Sequence, residues 1–387
     1  MKNNTRNHHF FVLMILIMLS SCEPISIKEY QMEPYSGAFT WEEVTKKAAW
    51  SNRYDHAAVA FNGKLWVFGG YDSGRRNGDT YLEDIWNSAN GKDWTLVSDS
   101  APWKGRRGHT VTVFNDGTGD ALYLTGGFEV DEKTGYRQYT NDCWKSADGI
   151  NWTQIKKRTY PINDMDADFM PRFNHVCLAV NHGGVNYLYL IGGSTMLENA
   201  VGEYSFYYFH DVWRSKNGIT WVKLDNNDFG QRSEQSACVD PSTGRIYMQG
   251  GNHSVVFDNE GLYNHPGQYY YDLWYSDDGV NWLADTTFSV LRAGHSMLMY
   301  EHSLWLFPGK VDNYEYLRYA AGEISSDLCY TYRKEENAAW ALDSKGSAFS
   351  GRHSYATVEF NNKIWILGGE TADNGPNNDV WCGYIRK

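Results

Sequence analysis

The sequence is poor in proline and cysteine and has no apolar run long enough for a membrane span. It contains 9 prolines and 6 cysteines in 387 residues. Beyond Cys22, five cysteines are scattered at positions 143, 177, 238, 329 and 382. Such an odd, unclustered set excludes a disulfide framework, and no Cys-x-x-Cys spacing suggests zinc. The net charge of −12 excludes nucleic acid as a partner, because phosphates would be repelled. No collagen or heptad period is present.

Aromatic residues and glycine are abundant instead. The chain has 28 Tyr, 17 Phe, 16 Trp and 37 Gly, and 42% of its residues are hydrophobic. A chain of this composition can bury a substantial core, which excludes disorder. Aromatics with frequent glycine and no long aliphatic stretch are typical of many short strands joined by turns. We therefore expect an all-β protein.

The first residues predict export and a lipid anchor. Lys2 and Arg6 precede the apolar run Phe10–Leu19, whose ten residues suit a signal-peptide core. The following Ser20-Ser21-Cys22 resembles a bacterial lipobox, which implies a lipid on the Cys22 thiol. We expect a signal peptide at 1–21, a tether at 22–36 and a location in the bacterial cell envelope, in either membrane. The alternative is an ordinary secretory signal that ends near a cysteine.

A repeat of about sixty residues dominates the remainder. Each repeat begins with an Arg-x-x-His motif or a variant of it, continues through an apolar run into Gly-Gly, and then reaches Asp-x-Trp, except that Asp327 is followed by Cys329. Two repeats carry Gln235 and Tyr355 in place of the histidine, and one has Pro308-Gly309 in place of Gly-Gly. The six arginines are Arg53, Arg106, Arg172, Arg232, Arg292 and Arg352. Each repeat thus predicts four short strands, a to d.

Four-stranded units of this period resemble kelch repeats. The resemblance covers residues 37–387 and implies a six-bladed β-propeller. The last repeat ends soon after Trp381 and lacks its strand d, whereas Trp41-Glu42-Glu43-Val44 matches the strand d pattern. We therefore expect the N-terminal strand to complete blade six and close the ring.

Meander parity predicts which connections share a face. The b–c and d–a connections lie on one side, and the a–b and c–d turns lie on the other. The kelch resemblance places the six arginines near the channel mouth on the first side, where bidentate hydrogen bonds would bind a carboxylate. The alternative is structural pairing with the six aspartates of the repeats (Asp84, Asp142, Asp211, Asp272, Asp327 and Asp379).

The b–c connections of blades three to five are rich in aromatics. Residues 194–210, 252–271 and 310–326 include the candidate ligand-binding residues Tyr207, Tyr208, Tyr269, Tyr270 and Tyr316. Flat rings with hydroxyl groups suit sugar faces or a protein partner. The alternative is that these connections bury the rings against one another.

No HExxH, G-x-S-x-G or P-loop motif occurs, and no metal or cofactor is predicted. The first functional hypothesis is a non-enzymatic, lipid-anchored module that binds a glycan or a protein. The alternative comes from a resemblance to bacterial N-acetylneuraminate epimerases (sialic-acid mutarotases), which are six-bladed kelch propellers. That resemblance implies an acidic sugar, with Arg232 for its carboxylate and Glu234 as acid or base.

Overall fold

The computed structural model describes residues 39–74, 80–131, 134–160, 166–198, 204–224, 228–253, 268–285, 290–310, 327–328, 331–335, 338–344, 349–371 and 375–385. Strands are the only regular secondary structure among these residues, as the composition predicts. None of them belongs to a helix long and apolar enough to cross a membrane.

Six antiparallel sheets of four principal strands form the blades. Blade one contains β2 (Ala57–Phe61), β3 (Lys64–Asp72), β4 (Thr80–Ser88) and β5 (Thr95–Ser98). Blade two contains β6 (Gly105–Arg107), β7 (Thr110–Asn115), β8 (Asp120–Asp131), β9 (Tyr136–Ser146) and β10 (Thr153–Lys156). Blade three contains β11 (Val176–His182), β12 (Val185–Ile191), β13 (Ser194–Glu198), β14 (Tyr204–Tyr208), β15 (Val212–Ser215) and β16 (Val222–Leu224).

Blades four to six follow the same order. Blade four contains β17 (Ser236–Val239), β18 (Ile246–Gln249), β19 (Asn252–His253), β20 (Gln268–Tyr269), β21 (Leu273–Ser276) and β22 (Leu283–Asp285). Blade five contains β23 (Met297–Tyr300), β24 (Ser303–Leu306), β25 (Gly309–Lys310), β26 (Asp327–Leu328), β27 (Thr331–Lys334) and β28 (Ala341–Ser344). Blade six contains β29 (Ala356–Phe360), β30 (Lys363–Thr371), β31 (Gly375–Ile385) and the N-terminal β1 (Phe39–Thr45). The predicted six-bladed propeller is confirmed.

The N-terminal strand closes the ring, as predicted. β1 pairs antiparallel with β31, from Phe39 opposite Ile385 to Thr45 opposite Val380. Phe39 packs edge-on against Trp305 of blade five, with ring centroids 4.5 Å apart. The closing strand therefore contributes to the neighbouring blade contact as well as to its own sheet.

The core lies between blades rather than within them. One cluster joins Leu65 and Val67 of blade one to Val358 and Leu367 of blade six, and five further clusters join the other neighbouring pairs. A single blade cannot bury both of its faces alone, so all six depend on their neighbours.

The Gly-Gly pairs make close blade contact possible. Gly69 and Gly70 have φ of +52° and +105°, and a Cβ on Gly70 would lie 2.7 Å from the Cβ of His56. In the equivalent pair of blade three, the Gly193 N–H donates to the carbonyl of Arg232 in the next blade, at 2.9 Å. Glycine is needed both for the backbone conformation and for this approach.

The two faces of the ring are distinct. We call the face that carries the b–c and d–a connections the upper face, and the one that carries the a–b and c–d turns the lower face. The residue after each motif arginine pairs with the residue after the Gly-Gly or Pro-Gly pair of the same blade, as in Tyr54 with Tyr71 and Ala293 with Lys310. These pairs bring the two kinds of upper connection together, as meander parity predicts.

Candidate functional site

The six motif arginines lie in the blades and do not reach solvent. Their exposure is 0–1%. Five of them form bidentate hydrogen bonds with the Asp-x-Trp aspartate of their own blade: Arg53 with Asp84, Arg106 with Asp142, Arg172 with Asp211, Arg232 with Asp272, and Arg352 with Asp379, at 2.5–3.1 Å. In blade five, Arg292 donates to the Phe307 carbonyl at 2.7 Å.

This network explains why the arginine, the Gly-Gly pair and the Asp-x-Trp motif recur together in the repeats. Arg53 also donates to the Gly69 carbonyl at 2.9 Å, and the Trp86 indole donates to Asp84 at 2.7 Å. Burial alone would raise the pKa of Asp84, but Arg53 holds it below its ordinary value. The structural alternative, pairing with an aspartate, therefore describes five of the arginines. All six are buried, so their assignment as ligand-binding residues is corrected: a ligand carboxylate does not reach a guanidinium that is buried inside its blade.

A closed ring of backbone hydrogen bonds joins the six blades around the central axis. Each blade contributes the second variable residue of its Arg-x-x-His motif, namely Asp55, Gly108, Asn174, Glu234, Gly294 and Ser354. The N–H of each donates to the carbonyl of the equivalent residue in the preceding blade, at 2.7–3.1 Å. All six have φ between +52° and +61°. Four are not glycine, and each such residue costs roughly 1–2 kcal/mol in this conformation.

Below this ring lie the side chains of the histidine position. They are His56, His109, His175, Gln235, His295 and Tyr355, and they line a cavity of about 140 Å³ together with the ring residues. Burial lowers the pKa of His56, His175 and His295 to about 3, and the adjacent arginine adds to the effect. These histidines are therefore neutral at physiological pH and do not exchange protons there.

Above the ring, blades four and five form a polar wall. Lys310 Nζ lies 3.0 and 2.9 Å from the two carboxylate oxygens of Glu234, and the Asn252 amide donates to the same carboxylate at 3.1 Å. Burial would raise the pKa of Glu234, but Lys310 outweighs it and holds that pKa below its ordinary value. Glu234 is thus an ionised carboxylate at the centre of the upper face.

Blades one and two add a second carboxylate, Asp55, and a weakly paired cation, Arg107. Burial raises the pKa of Asp55, Glu234 adds to this, and Arg107 opposes it. Arg107 lies 3.7 Å from the Asp55 carboxylate and 3.4 Å from the Tyr54 hydroxyl, and its side chain is 25% exposed. Both contacts are long, so Arg107 differs from its neighbour Arg106, which is held by two carboxylates.

An unbroken series of rings surrounds Arg107 and forms the opposite wall. The centroids of successive members lie 4.7–5.7 Å apart, in the order Tyr54, Tyr71, Tyr81, Phe128, Tyr139 and Phe173. The Arg107 guanidinium lies 4.9 Å from the Tyr71 ring. We call the space between the polar wall and this aromatic wall, above the backbone ring, the mouth. Its aromatic side, on blades one to three, also carries Arg107 and Asp55, and its polar side carries Glu234 and Lys310 of blades four and five.

Most of the tyrosines predicted to bind a ligand are not exposed on the upper face. Tyr208 and Tyr269 are buried. Tyr270 stacks on the guanidinium of Arg232 at 4.0 Å, and its hydroxyl donates to the Gln231 carbonyl. Of these candidates only Tyr207 is exposed, at 37%, while Tyr316 lies outside the described residues. The alternative that these connections bury their own rings therefore describes Tyr208, Tyr269 and Tyr270.

The site residues that the sequence hypothesis missed were the variable positions of its own motif. In Arg-x-x-His, the fixed residues are structural and the two variable ones face the mouth, including Tyr54, Asp55 and Arg107. Glu234 was singled out because it is acidic, and the structure places it centrally. Its predicted companion Arg232 is not beside it but is bonded to Asp272. Lys310 could be found only by knowing that blade five faces blade four.

The comparisons agree with this architecture. Residues 52–86 match the model of the Kelch motif. A Rho GTPase-activating protein of Dictyostelium discoideum, gacHH, is 31% identical over 162 residues, which are 38% of this chain and 9% of that protein. The chain thus spans under a tenth of the length of that curated relative. A solved structure titled "Structure of YjhT" aligns over 89% of this chain and all of its own, with a TM-score of 0.62 and 14% identity. The resemblance to kelch propellers is confirmed.

Proposed function

We propose that this propeller is a lipid-anchored, extracytoplasmic module that binds a glycan in the mouth. The observation that supports this most is the division of the mouth into an aromatic wall and a wall of hydrogen-bonding groups. A sugar ring has one face of C–H groups, which stack on aromatic rings, and hydroxyls that bond to carboxylates, amides and ammonium groups. A kelch fold alone does not carry this proposal, because the same fold hosts unrelated functions.

In this proposal the two walls have separate roles. Phe173 and Tyr54 are half-buried and present ring surface towards the mouth. Glu234 and Lys310 are already held in place by one another, so they are ordered before a ligand arrives. Preorganised groups lose little conformational entropy on binding, which favours affinity.

Isothermal titration with a panel of neutral and acidic oligosaccharides tests the proposal. We expect Phe173→Leu to weaken binding by removing a stacking surface, and Glu234→Gln to weaken it by at least about tenfold through loss of charge-assisted hydrogen bonds. Leu283→Ser is the matched control, because Leu283 is exposed on an outer strand far from the mouth. Binding that is unchanged in both mouth variants, or equally weakened in the control, would contradict the proposal.

A protein ligand would give a different pattern. It would cover the rim of the upper face, where Tyr207 and Tyr271 are 37% and 60% exposed. Substituting these two tyrosines by Ser would then abolish binding, whereas a small glycan confined to the mouth would still bind.

Catalysis on an acidic sugar is the second candidate, and Arg107 is the observation that favours it. In place of Arg232, the incompletely paired guanidinium of Arg107 would hold the sugar carboxylate, and the ionised Glu234 would accept a proton from the ring-opening hydroxyl. NMR of anomer exchange in N-acetylneuraminate tests this. Faster exchange that is lost in Glu234→Gln supports catalysis, and an exchange rate equal to the spontaneous one contradicts it.

A further inference from the structure

The two faces of the ring expose different kinds of apolar side chain. Among the described residues, the exposed aromatic ones are tyrosines of the upper face: Tyr136, Tyr160, Tyr207 and Tyr271. Three exposed aliphatic residues, Leu96, Val222 and Leu283, lie on the outer strands of their blades. The other three, Ile150, Val185 and Ile219, lie at turns of the lower face, and we call them the aliphatic tips. Tyrosine combines apolar surface with a hydrogen-bonding hydroxyl and suits a polar ligand. An aliphatic side chain has no group that can form a hydrogen bond with a polar ligand.

Two of the aliphatic residues occupy the same position of the c–d turn. Ile150 and Ile219 directly follow the turn glycine and are 59% and 49% exposed. The turn itself is held by the serine hydroxyl, which accepts from the glycine N–H at 2.9 Å in both blades. Blade one has the exposed Lys92 at this position, so the turn does not require an aliphatic residue there.

The N-terminal strand begins on the same lower face. Phe39 pairs with Ile385 at the end of blade six where blades one to four have their c–d turns. Sixteen residues separate Cys22 from Phe39. Such a segment spans at most about 55 Å when fully extended. Blade six lies across the ring from blade three, which carries Ile219 and Val185, so the start of β1 and these tips are on opposite sides of one face.

We propose that the lower face rests on a lipid surface, so that the mouth points away from the membrane. This rests on the lipid at Cys22, which is part of the proposed function. An acyl anchor is strengthened by a second apolar contact with the same bilayer, and the aliphatic tips supply one across the ring from the tether. The orientation leaves the mouth open to ligands in the surrounding medium.

A fluorescent amino acid at single positions tests the orientation. Dansylalanine replaces Ile219 or, on the upper face, Tyr136, in the chain that begins at Cys22 with a lipid attached chemically to the Cys22 thiol. The protein is bound to vesicles of phosphatidylethanolamine and phosphatidylglycerol that contain a headgroup spin label. We expect quenching at position 219 to exceed that at 136 at least about threefold, because interfacial groups sit only about 5–10 Å deep.

A variant that keeps the anchor but removes the aliphatic tips is the matched control. Ile150→Ser with Val185→Ser should leave vesicle binding intact and reduce the difference between the two labels. Equal quenching at both positions, or stronger quenching at 136, would overturn the proposal. The anchor itself is tested separately by detergent-phase partition of the natively exported chain against Cys22→Ala. A failure there refutes native lipidation, while the vesicle experiment still decides which face meets the lipid.

Discussion

The buried histidine layer predicts a specific sensitivity to acid. His56 has an ordinary pKa of 6.5 when unfolded and about 3 when folded, because burial and Arg53 disfavour its charged form. Below pH 6.5 the unfolded chain binds a proton that the folded chain does not. Stability from this site is therefore complete above pH 6.5 and is lost as the pH falls towards 3.

Blade four shows that glutamine can replace histidine at this position, which suggests a substitution to test the prediction. Blade four has Gln235 at the histidine position, where its amide donates to the Ile191 carbonyl at 2.9 Å. At pH 5, the 1.5 pH units below the unfolded pKa correspond to about 2 kcal/mol of lost stability for one histidine. His56→Gln should therefore reduce the stability lost between pH 7.5 and pH 5 by about 2 kcal/mol, and Gln235→His should increase it by a similar amount.

Urea unfolding of the parent and both variants at the two pH values gives the required free energies. Comparing each variant with itself at the two pH values removes any packing change caused by the substitution. The four histidines together would account for about 8 kcal/mol at pH 5, which is comparable with the whole stability of a typical domain. Equal losses in all three proteins would refute the reasoning, because the acid sensitivity would then arise elsewhere.

Two further predictions concern blades five and six. Burial raises the pKa of Asp343 to about 6, so its contribution opposes folding once the pH rises from 4 through 6. Asp343→Asn should stabilise the protein by about 1–2 kcal/mol at pH 8, after allowance for solvent screening, and leave it unchanged at pH 4 by urea unfolding. A chain that starts at Ala48 lacks β1 and should lose its cooperative thermal transition by circular dichroism, because the edge of β31 is left open. A melting curve like that of the parent would show that β1 does not hold the ring closed.

The fold could be predicted from the sequence because each blade repeats the same structural requirement. Arg53 bonds to both Gly69 and Asp84 within one blade, so the same residue types recur in the same order wherever that network recurs. The missing strand of the last repeat likewise identified β1, since an open sheet edge must be paired. The period of the sequence repeat therefore predicts the structural features that all six blades have in common.

The site could be predicted only in part, because it depends on what the blades do not share. Glu234 stood out as an acid, but its partner Lys310 belongs to the next blade and is 76 residues away. Arg107 was hidden beside Arg106, although one faces the mouth and the other is buried. Neighbour relations across blades follow from the closed ring and not from any spacing along the chain. The abundance of aromatic residues in the b–c connections of blades three to five also suggested ligand-binding tyrosines. Tyr270, however, packs on the guanidinium of Arg232.

The closing strand also has a consequence for biosynthesis. Glu42 of β1 meets Cys382 of β31, 340 residues later in the chain. At about 5–20 residues per second, the ribosome needs roughly 20–70 s to make the partner after it has made β1. During that time the segment that will form β1, with its aromatic residues Phe39 and Trp41, has no β31 to pair with. Glu42 and Glu43 are exposed in the finished blade. Their adjacent negative charges disfavour pairing of the unpaired β1 segment with another nascent chain. The closing strand therefore carries residues that protect it against aggregation.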